Sequence, residues 1–260
     1  MLCVVDIGNT NIVIALMEDS DNVCFSGRII TMRDLTKENF KKEVTEIIGK
    51  SSYSLSDIGG VIISSVVPEV TQNVKQGMME LTNVKVIVMG CELNLGLTIS
   101  MDNPDRVGCD LIADAVAVTE EYTGVTAIFD MGTATTCSLV KDNEYMGTII
   151  IPGVVVSQNA LSEKASQLPE LSMDTVGDFK VRLMGKNTVE SMVSGMVYGN
   201  AAMIDGIIER IEEETGSKIS VVATGGIAEL IVPYCKKNIV LDKNLLLKGL
   251  WYTYKRNIDN

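Results

Sequence analysis

Apolar and polar positions along the chain fall into short blocks that alternate between two periods. The opening stretch, MLCVVDIGNTNIVIAL (residues 1–16), is two apolar runs interrupted by Asp6, Asn9, Thr10 and Asn11. It predicts a strand, a tight polar turn and a second strand. Gly8 and Asn9 tolerate positive φ and so favour a tight turn. Residues 36–50 have a helical pattern with a Thr cap and a Gly near the end. Residues 59–68 predict a buried strand closed by Pro68, and residues 84–90 another. Residues 104–122 predict a helix, at least from Cys109. Residues 124–140 repeat the strand, turn and strand plan. A long helix is expected over 188–214, then a strand, Gly225-Gly226 and a helix over 218–235, and a last helix over 244–256.

The pattern contains an echo. VVDIGNTNIVIAL and IFDMGTATTCSLV share one plan, in which an apolar strand ends in Asp-x-Gly, a short polar set follows, and a second strand leaves. Asp6 matches Asp130 and Gly8 matches Gly132. The copies stand close to half the chain apart, which predicts two similar lobes, over 1–118 and 119–260.

Composition narrows the chemistry. The net charge of −12 lacks the basic footprint of a nucleic-acid surface and offers no attraction to anionic lipid. An acidic protein that handles phosphates has to bring Mg²⁺ or present backbone amides. There is no histidine, so His-based triads and most zinc sites are excluded and acid–base work falls to carboxylates or lysines. The six cysteines form no C-x-x-C pair and read as free thiols of a cytoplasmic protein. The N-terminus lacks a basic n-region, and no apolar run reaches the roughly 18 residues of a membrane helix.

The two turns suit phosphate. Small residues let backbone N–H groups approach an anion closely, and Thr10, Asn11, Thr133 and Thr135 add hydroxyl or amide donors. Asp6 can hold Mg²⁺ directly or through water. Each turn alone is equally an ordinary hairpin with a locally bonded Asp; the second copy is what favours the phosphate reading. Gly225-Gly226 suits a flat nucleoside lying against bare backbone.

Asp-x-Gly-x-Thr in two copies with a later Gly-Gly resembles the actin, Hsp70 and sugar-kinase superfamily. The segments DIGNTN, DNPDRVGCD, DMGTATT, GTIIIPG, GKNTVESMVSGMVYG and ATGG stand in the order seen in type III pantothenate kinases, over nearly the whole chain. The resemblance implies an α/β fold of two ribonuclease-H-like lobes with a nucleotide cleft between them. It implies ATP-dependent phosphorylation of pantothenate, the first step of coenzyme A biosynthesis, in a cytoplasmic homodimer. Asp6, Ile7, Gly8, Asn9, Thr10, Asn11, Ile12 and Val13 would form the first phosphate loop, with Gly132 and Thr133 also contacting ATP. Asp110 matches the catalytic base. Asp130 matches the ligand of a monovalent cation, K⁺ or NH₄⁺. Met101, Gly108, Cys109, Asp110, Leu111 and Thr188 stand at substrate-binding positions.

Two of these positions depart from the family. Its Gly-x-Asp-Arg is here Gly108-Cys109-Asp110-Leu111, and its Tyr before DNP is Met101. The Gly-Gly before the Pro-Gly loop is reduced to Gly147-Thr148. The ATP side is intact while the acid-recognition side is altered. Losing one charge-assisted hydrogen bond to a carboxylate costs about 1.5–3 kcal/mol, roughly 10- to 150-fold in affinity. Arg106, Lys164 and Arg182 are the candidates for a replacement cation. Two rival readings follow: a kinase of the same fold for a different small hydroxyl compound, and a non-catalytic nucleotide-binding regulator. Retention of Asp6, Asp110, Asp130 and Thr133 weighs against the second.

Overall fold

The computed structural model describes residues 1–172, 176 and 181–258. The chain forms two compact units, Met1–Glu121 with Asn244–Asn260, and Tyr122–Lys243.

The first unit is built on β1 (Leu2–Ile7), whose near-continuous apolar run marks a strand covered on both faces. β1 pairs antiparallel with β2 (Asn11–Met17), which pairs antiparallel with β3 (Val23–Ile30). On its other side β1 runs parallel to β4 (Gly60–Ser65), and β4 to β5 (Val86–Val88), giving the order β3–β2–β1–β4–β5. Alternation sorts the faces. Cys3, Val5 and Ile7 pack with Phe40, Val44 and Ile48 of α1 (Lys37–Gly49) and Val70, Val74 and Met78 of α2 (Pro68–Thr82). Leu2 and Val4 pack with Ile112, Ala113 and Val116 of α3 (Cys109–Glu121). Asp6 continues the Leu2, Val4 series, so it stands on the α3 face. β6 (Thr98–Ile99) lies between β5 and α3 in sequence.

The second unit repeats the order. Strands β7 (Val125–Met131), β8 (Ala134–Lys141) and β9 (Glu144–Pro152) form the antiparallel part. Helices α4 (Val154–Lys164) and α5 (Thr188–Thr215) follow in sequence. The parallel part is β10 (Ser220–Thr224) with β11 (Val240–Leu241), so that this unit's own strands run β11–β10–β7–β8–β9. Ala127, Phe129 and Met131 of β7 pack with Val193, Met196, Val197 and Ile204 of α5. Two sheets with one strand order, three strands antiparallel and two parallel, make the α/β fold of two ribonuclease-H-like lobes. No described helix is long and apolar enough to cross a membrane.

Several expectations change. The boundary expected at 118/119 falls after Glu121, and the last helix, α7 (Leu245–Asn257), belongs to the first unit, not the second. Its Leu247, Leu250 and Tyr254 complete the apolar cluster on the α3 face. The Asn257 side chain donates to the Asn94 carbonyl at 3.0 Å and accepts the Asn94 N–H at 3.0 Å. Pro68 does not merely close a strand; it opens α2 at the position where its missing N–H has no helical partner to lose. The helix after Gly225-Gly226 is only α6 (Ala228–Ile231), passing into a 3₁₀ turn at Val232–Tyr234 that contains Pro233. Gly8 and Asn9 have negative φ. Ile7 pairs with Ile12, and the residues left between them close the turn without a left-handed residue. β3, β6, β9, β11, α2 and α4 went unpredicted.

α7 approaches α3 through Gly249, where a Cβ would overlap the carbonyl oxygen of Ala113. Backbone cannot step aside as a side chain can. Gly249→Ala is expected to cost about 1–3 kcal/mol through overpacking and to lower the urea midpoint measured by circular dichroism; an unchanged midpoint would show that the two helices are not in register as described.

Candidate active site

Each central strand ends in an aspartate followed by a turn, and the two turns are held alike. In the first, the Gly8 N–H donates to the Asn11 carbonyl at 3.0 Å. The chain leaving β3 donates from Thr31 N–H to the Thr10 carbonyl at 3.0 Å, and the chain leaving β4 donates from Val66 N–H to the Ile7 carbonyl at 3.0 Å. In the second, Gly132 N–H donates to the Ala134 carbonyl at 2.9 Å, Gly153 N–H to the Thr133 carbonyl at 3.2 Å, and Ile227 N–H to the Met131 carbonyl at 3.3 Å. The Thr31 hydroxyl adds a 2.8 Å bond to the Gly8 carbonyl. Carbonyls of both turns are thus consumed by neighbouring strand ends, while Asn9, Thr10, Gly132 and Thr133 are exposed. Ile12 is buried and Val13 half-buried in β2, so these two build the loop's stem.

The aspartates have matching neighbours. Asp6 pairs in register with Ser64, and Asp130 with Thr136 and Thr224. The hydroxyls of Ser64 and Thr136 are buried with no hydrogen-bond partner among the described residues. A carboxylate beside an unsatisfied hydroxyl is a donor set for a hard cation. No group of three or more His, Cys, Asp or Glu that could hold a metal occurs among the described residues. Each aspartate would therefore share its ion with ligand or solvent oxygens, as Mg²⁺ commonly does. Gly225, at φ +89°, lies against Asp130: a Cβ there would stand 2.5 Å from Asp130 Oδ1 and 2.6 Å from Met131 N. Gly226 is exposed with nothing beside it. The Gly-Gly pair thus has two uses, close packing on Asp130 and an open backbone surface.

Asp110 lies in the first turn of α3, where the helix dipole favours a negative charge. Its Oδ1 accepts the Leu111 N–H at 2.9 Å. Burial nevertheless holds its carboxyl above the usual carboxylate range; the N–H groups of Leu111 and Asp110 oppose the shift without cancelling it. Gly108 is needed here, because a Cβ would overlap Asp110 Oδ1. Cys109 donates its thiol to the Met89 carbonyl at 3.4 Å. Burial pushes that thiol up, opposed by a backbone hydrogen bond with Ser65. Ser65 pairs with Ile7, so the start of α3 meets the same edge of the first sheet as the Asp6 turn. That edge, at the carboxyl ends of parallel strands, is where open α/β sheets bind ligands. Met101 and Leu111 are half-buried and offer no charge.

In the second unit Thr188 opens α5, capped by Asn187, whose Oδ1 accepts the Glu190 N–H at 2.9 Å. Thr188 is exposed and lines an open cavity of about 750 Å³ between α4 and α5, with Ser157, Gln158, Met192 and Asn200. The Asp6 turn and the start of α3 meet at one edge of the first unit's sheet, and Asp130, Gly132 and Thr133 stand together at the end of β7, with Thr188 on a separate element. The strand-end latches at Thr31, Val66, Gly153 and Ile227 were missed by sequence reasoning; backbone donors leave no residue signature.

A sequence model of the type III pantothenate kinase family matches residues 2–210. The type III pantothenate kinase of Exiguobacterium sp. is 40% identical over 99% of this chain and 99% of its own. Among solved structures, a conserved Campylobacter jejuni protein described as a Baf family transcriptional activator is similar with a TM-score of 0.62 at 16% identity, over 99% of this chain and 100% of that one. The activator of 2-hydroxyisocaproyl-CoA dehydratase from Clostridium difficile, with bound ADPNP, is similar with a TM-score of 0.56 at 13% identity, over 98% and 93%. At such identities the structures speak for the fold, while the sequence match extends over nearly the whole chain: the chain belongs to the type III pantothenate kinase family.

Proposed function

We propose that the chain transfers the γ-phosphoryl group of ATP to the primary hydroxyl of pantothenate, giving 4′-phosphopantothenate. The observation that carries this reading is the half-buried Asp110 carboxylate at the start of α3, on the same sheet edge as the Asp6 turn. Phosphoryl transfer asks for positioning and charge neutralisation more than for a strong base. Asp110 accepts the hydroxyl proton at the oxygen not engaged by the Leu111 N–H. Its pKa, raised by burial, improves it as a proton acceptor. The loop from Asp6 to Val13, through its exposed Asn9 and Thr10, binds the phosphates together with the exposed Gly132 and Thr133. Asp6 with Ser64 suits Mg²⁺, and Asp130 with Thr136 suits a monovalent cation, K⁺ or NH₄⁺. Bound cations there neutralise phosphate charge in a protein whose own charge is −12. Gly108 keeps the space in which Asp110 moves, while Met101, Cys109, Leu111 and Thr188 bound the acceptor.

The same reading makes the chain a cytoplasmic homodimer. α5 exposes Gly195 and Gly199 with nothing beside either, and Val156 and Leu161 of α4 are exposed. Small residues one turn apart let a second helix approach closely. Replacing Gly195 with Arg is expected to give monomers by light scattering; a variant that remains dimeric would move the interface elsewhere.

The purified protein with Mg-ATP and K⁺ is expected to release ADP only when pantothenate is added, with 4′-phosphopantothenate detected by mass. ADP release that pantothenate does not stimulate would point to another hydroxyl substrate, and nucleotide binding without turnover to a regulator. Asp110→Asn is expected to lower kcat by roughly 10²-fold or more while ATP still binds. The kcat/KM of the wild type should rise with pH through an acid limb above the ordinary carboxylate value, and that limb should vanish in Asp110→Asn. Stability should move the opposite way. The folded state holds the Asp110 proton more tightly than the unfolded one, so this group's contribution is lost as pH rises through its folded pKa. Asp110→Asn should therefore raise the melting temperature at pH 7–8, and less so in acid; a lower melting temperature at neutral pH would contradict a buried, uncompensated carboxylate.

A further inference from the structure

A substrate that carries its own carboxylate meets a difficulty in this protein. It has to settle beside an aspartate base in a chain of net charge −12, and like charges at close range raise the free energy of both. A cation must stand near the base, yet not on it. The acceptor hydroxyl and the carboxylate are at opposite ends of pantothenate.

Several cations of the first unit are already engaged. Arg28, Lys42 and Lys75, which make no hydrogen bond or ion pair among the described residues, stand on β3, α1 and α2, away in sequence from the start of α3. Lys248 is held by Glu121 at 3.0 Å, Arg256 is paired with Glu120, and Lys85 donates to the carbonyls of Asn257 and Ile258. The residue after the base, Leu111, is apolar. Arg106 differs. It is exposed, it ends the 3₁₀ turn Pro104–Arg106, and among the described residues its guanidinium makes no hydrogen bond or ion pair. Asp102 and Asp105, exposed nearby, do not engage it.

Its backbone, by contrast, is fixed on both sides. The Cys91 thiol donates to the Pro104 carbonyl at 3.4 Å, and the Cys109 thiol donates to the Met89 carbonyl at 3.4 Å. The segment around residues 89–91 therefore grips the chain just before and just after Arg106. Within the turn, Arg106 N–H donates to the Asn103 carbonyl at 3.1 Å and Val107 N–H to the Pro104 carbonyl at 3.1 Å. A guanidinium with no protein partner, on a doubly anchored turn that feeds directly into the helix carrying Asp110, is placed to receive an anion from outside. Val107, Gly108 and Cys109 separate the two residues in sequence. Lys164 and Arg182 belong to the second unit and share no such turn with the base.

We infer that Arg106 is the specificity-determining cation of this chain, binding the carboxylate of the acceptor while Asp110 addresses its hydroxyl; the inference rests on the kinase reading above. The recognised chemistry is a small hydroxy acid whose carboxylate is remote from the hydroxyl that is phosphorylated.

The test compares pantothenate with an N-alkyl pantothenamide, in which the carboxylate is replaced by a neutral amide, in the wild-type, Arg106→Gln and Arg106→Lys proteins. Arg106→Gln is expected to lower the ratio of kcat/KM for pantothenate to that for the amide by about 10-fold. The loss should fall on the KM for pantothenate rather than on kcat, and Arg106→Lys should restore part of it. A merely structural role would move both substrates together. If the wild type phosphorylates both compounds and Arg106→Gln leaves their ratio unchanged, the inference is overturned and the kinase reading stands. If the wild type phosphorylates pantothenate alone, an Arg106→Gln variant whose KM for pantothenate is unchanged overturns the inference, and a KM about 10-fold higher at unchanged kcat, partly restored in Arg106→Lys, upholds it. If the wild type phosphorylates neither, both fall.

Discussion

The carbonyl oxygens of two tight turns have to be pointed away from any anion that approaches, and that requirement organises much of each unit. A turn after a central strand exposes its N–H groups only if its C=O groups are engaged elsewhere, since buried backbone polar groups are almost always paired. Here the partners come from the strands on either side. The exits of β3 and β4 take the carbonyls of Thr10 and Ile7, and the exits of β9 and Ile227 beyond β10 take those of Thr133 and Met131. The latch needs three strands that end at one edge: the central one, its parallel neighbour, and the strand beyond its antiparallel partner. The order β3–β2–β1–β4 and its copy β9–β8–β7–β10 supply that arrangement. An anion-binding turn of this kind is thus a property of the sheet and not of the DIGNT or DMGTA segment alone.

The legible part of this architecture was the part written in side chains. Two Asp-x-Gly turns stood out because a carboxylate ending an apolar strand has few structural excuses, and two copies have fewer. α1 was readable from Thr36 and the spacing of Phe40, Val44 and Ile48. What escaped was carried by backbone or by context. β3 and β9 leave isoleucines such as Ile30 and Ile150 exposed, so their alternation does not separate a buried face from a wet one. α2 was hidden behind Pro68, which looks like a stop and acts as a start. The close approach of Gly225 to Asp130 requires a positive φ and an absent Cβ together, and a Gly-Gly pair in sequence says only that both are permitted.

The site's charges are arranged by opposition. Asp110 is favoured by a helix start and by a backbone N–H, and disfavoured by burial, and burial wins. The result is a carboxylate that holds its proton more tightly than a solvated one. Histidine is absent from the chain, so this tuning by environment is the available route to a base of useful strength. The arrangement has a cost in stability, because the native state carries a charge that the unfolded chain would solvate freely. Gly108 shows the same priority, giving up a side chain so that the Asp110 carboxylate can lie where it does.

The return of the chain to the first unit follows from the same need to hold this edge still. α3 carries Asp110 at its first turn and leads out of the unit at Glu121, so an α3 packed on the sheet alone would be free on its outer side. α7 comes back to occupy that side, with Gly249 against Ala113 and Leu250 and Tyr254 in the shared apolar cluster. The departing and returning ends are tied where they pass: Lys248 Nζ lies 3.0 Å from Glu121, and the Arg256 guanidinium reaches Glu120 and the Leu95 carbonyl. Lys248 is only 14% exposed, so its pair with Glu121 is less screened than a surface ion pair and constrains more. Residues 122–243 are in effect an insertion between two packed helices. The helix that positions Asp110 is therefore held by α7, and the first unit is complete only when α7 has been made.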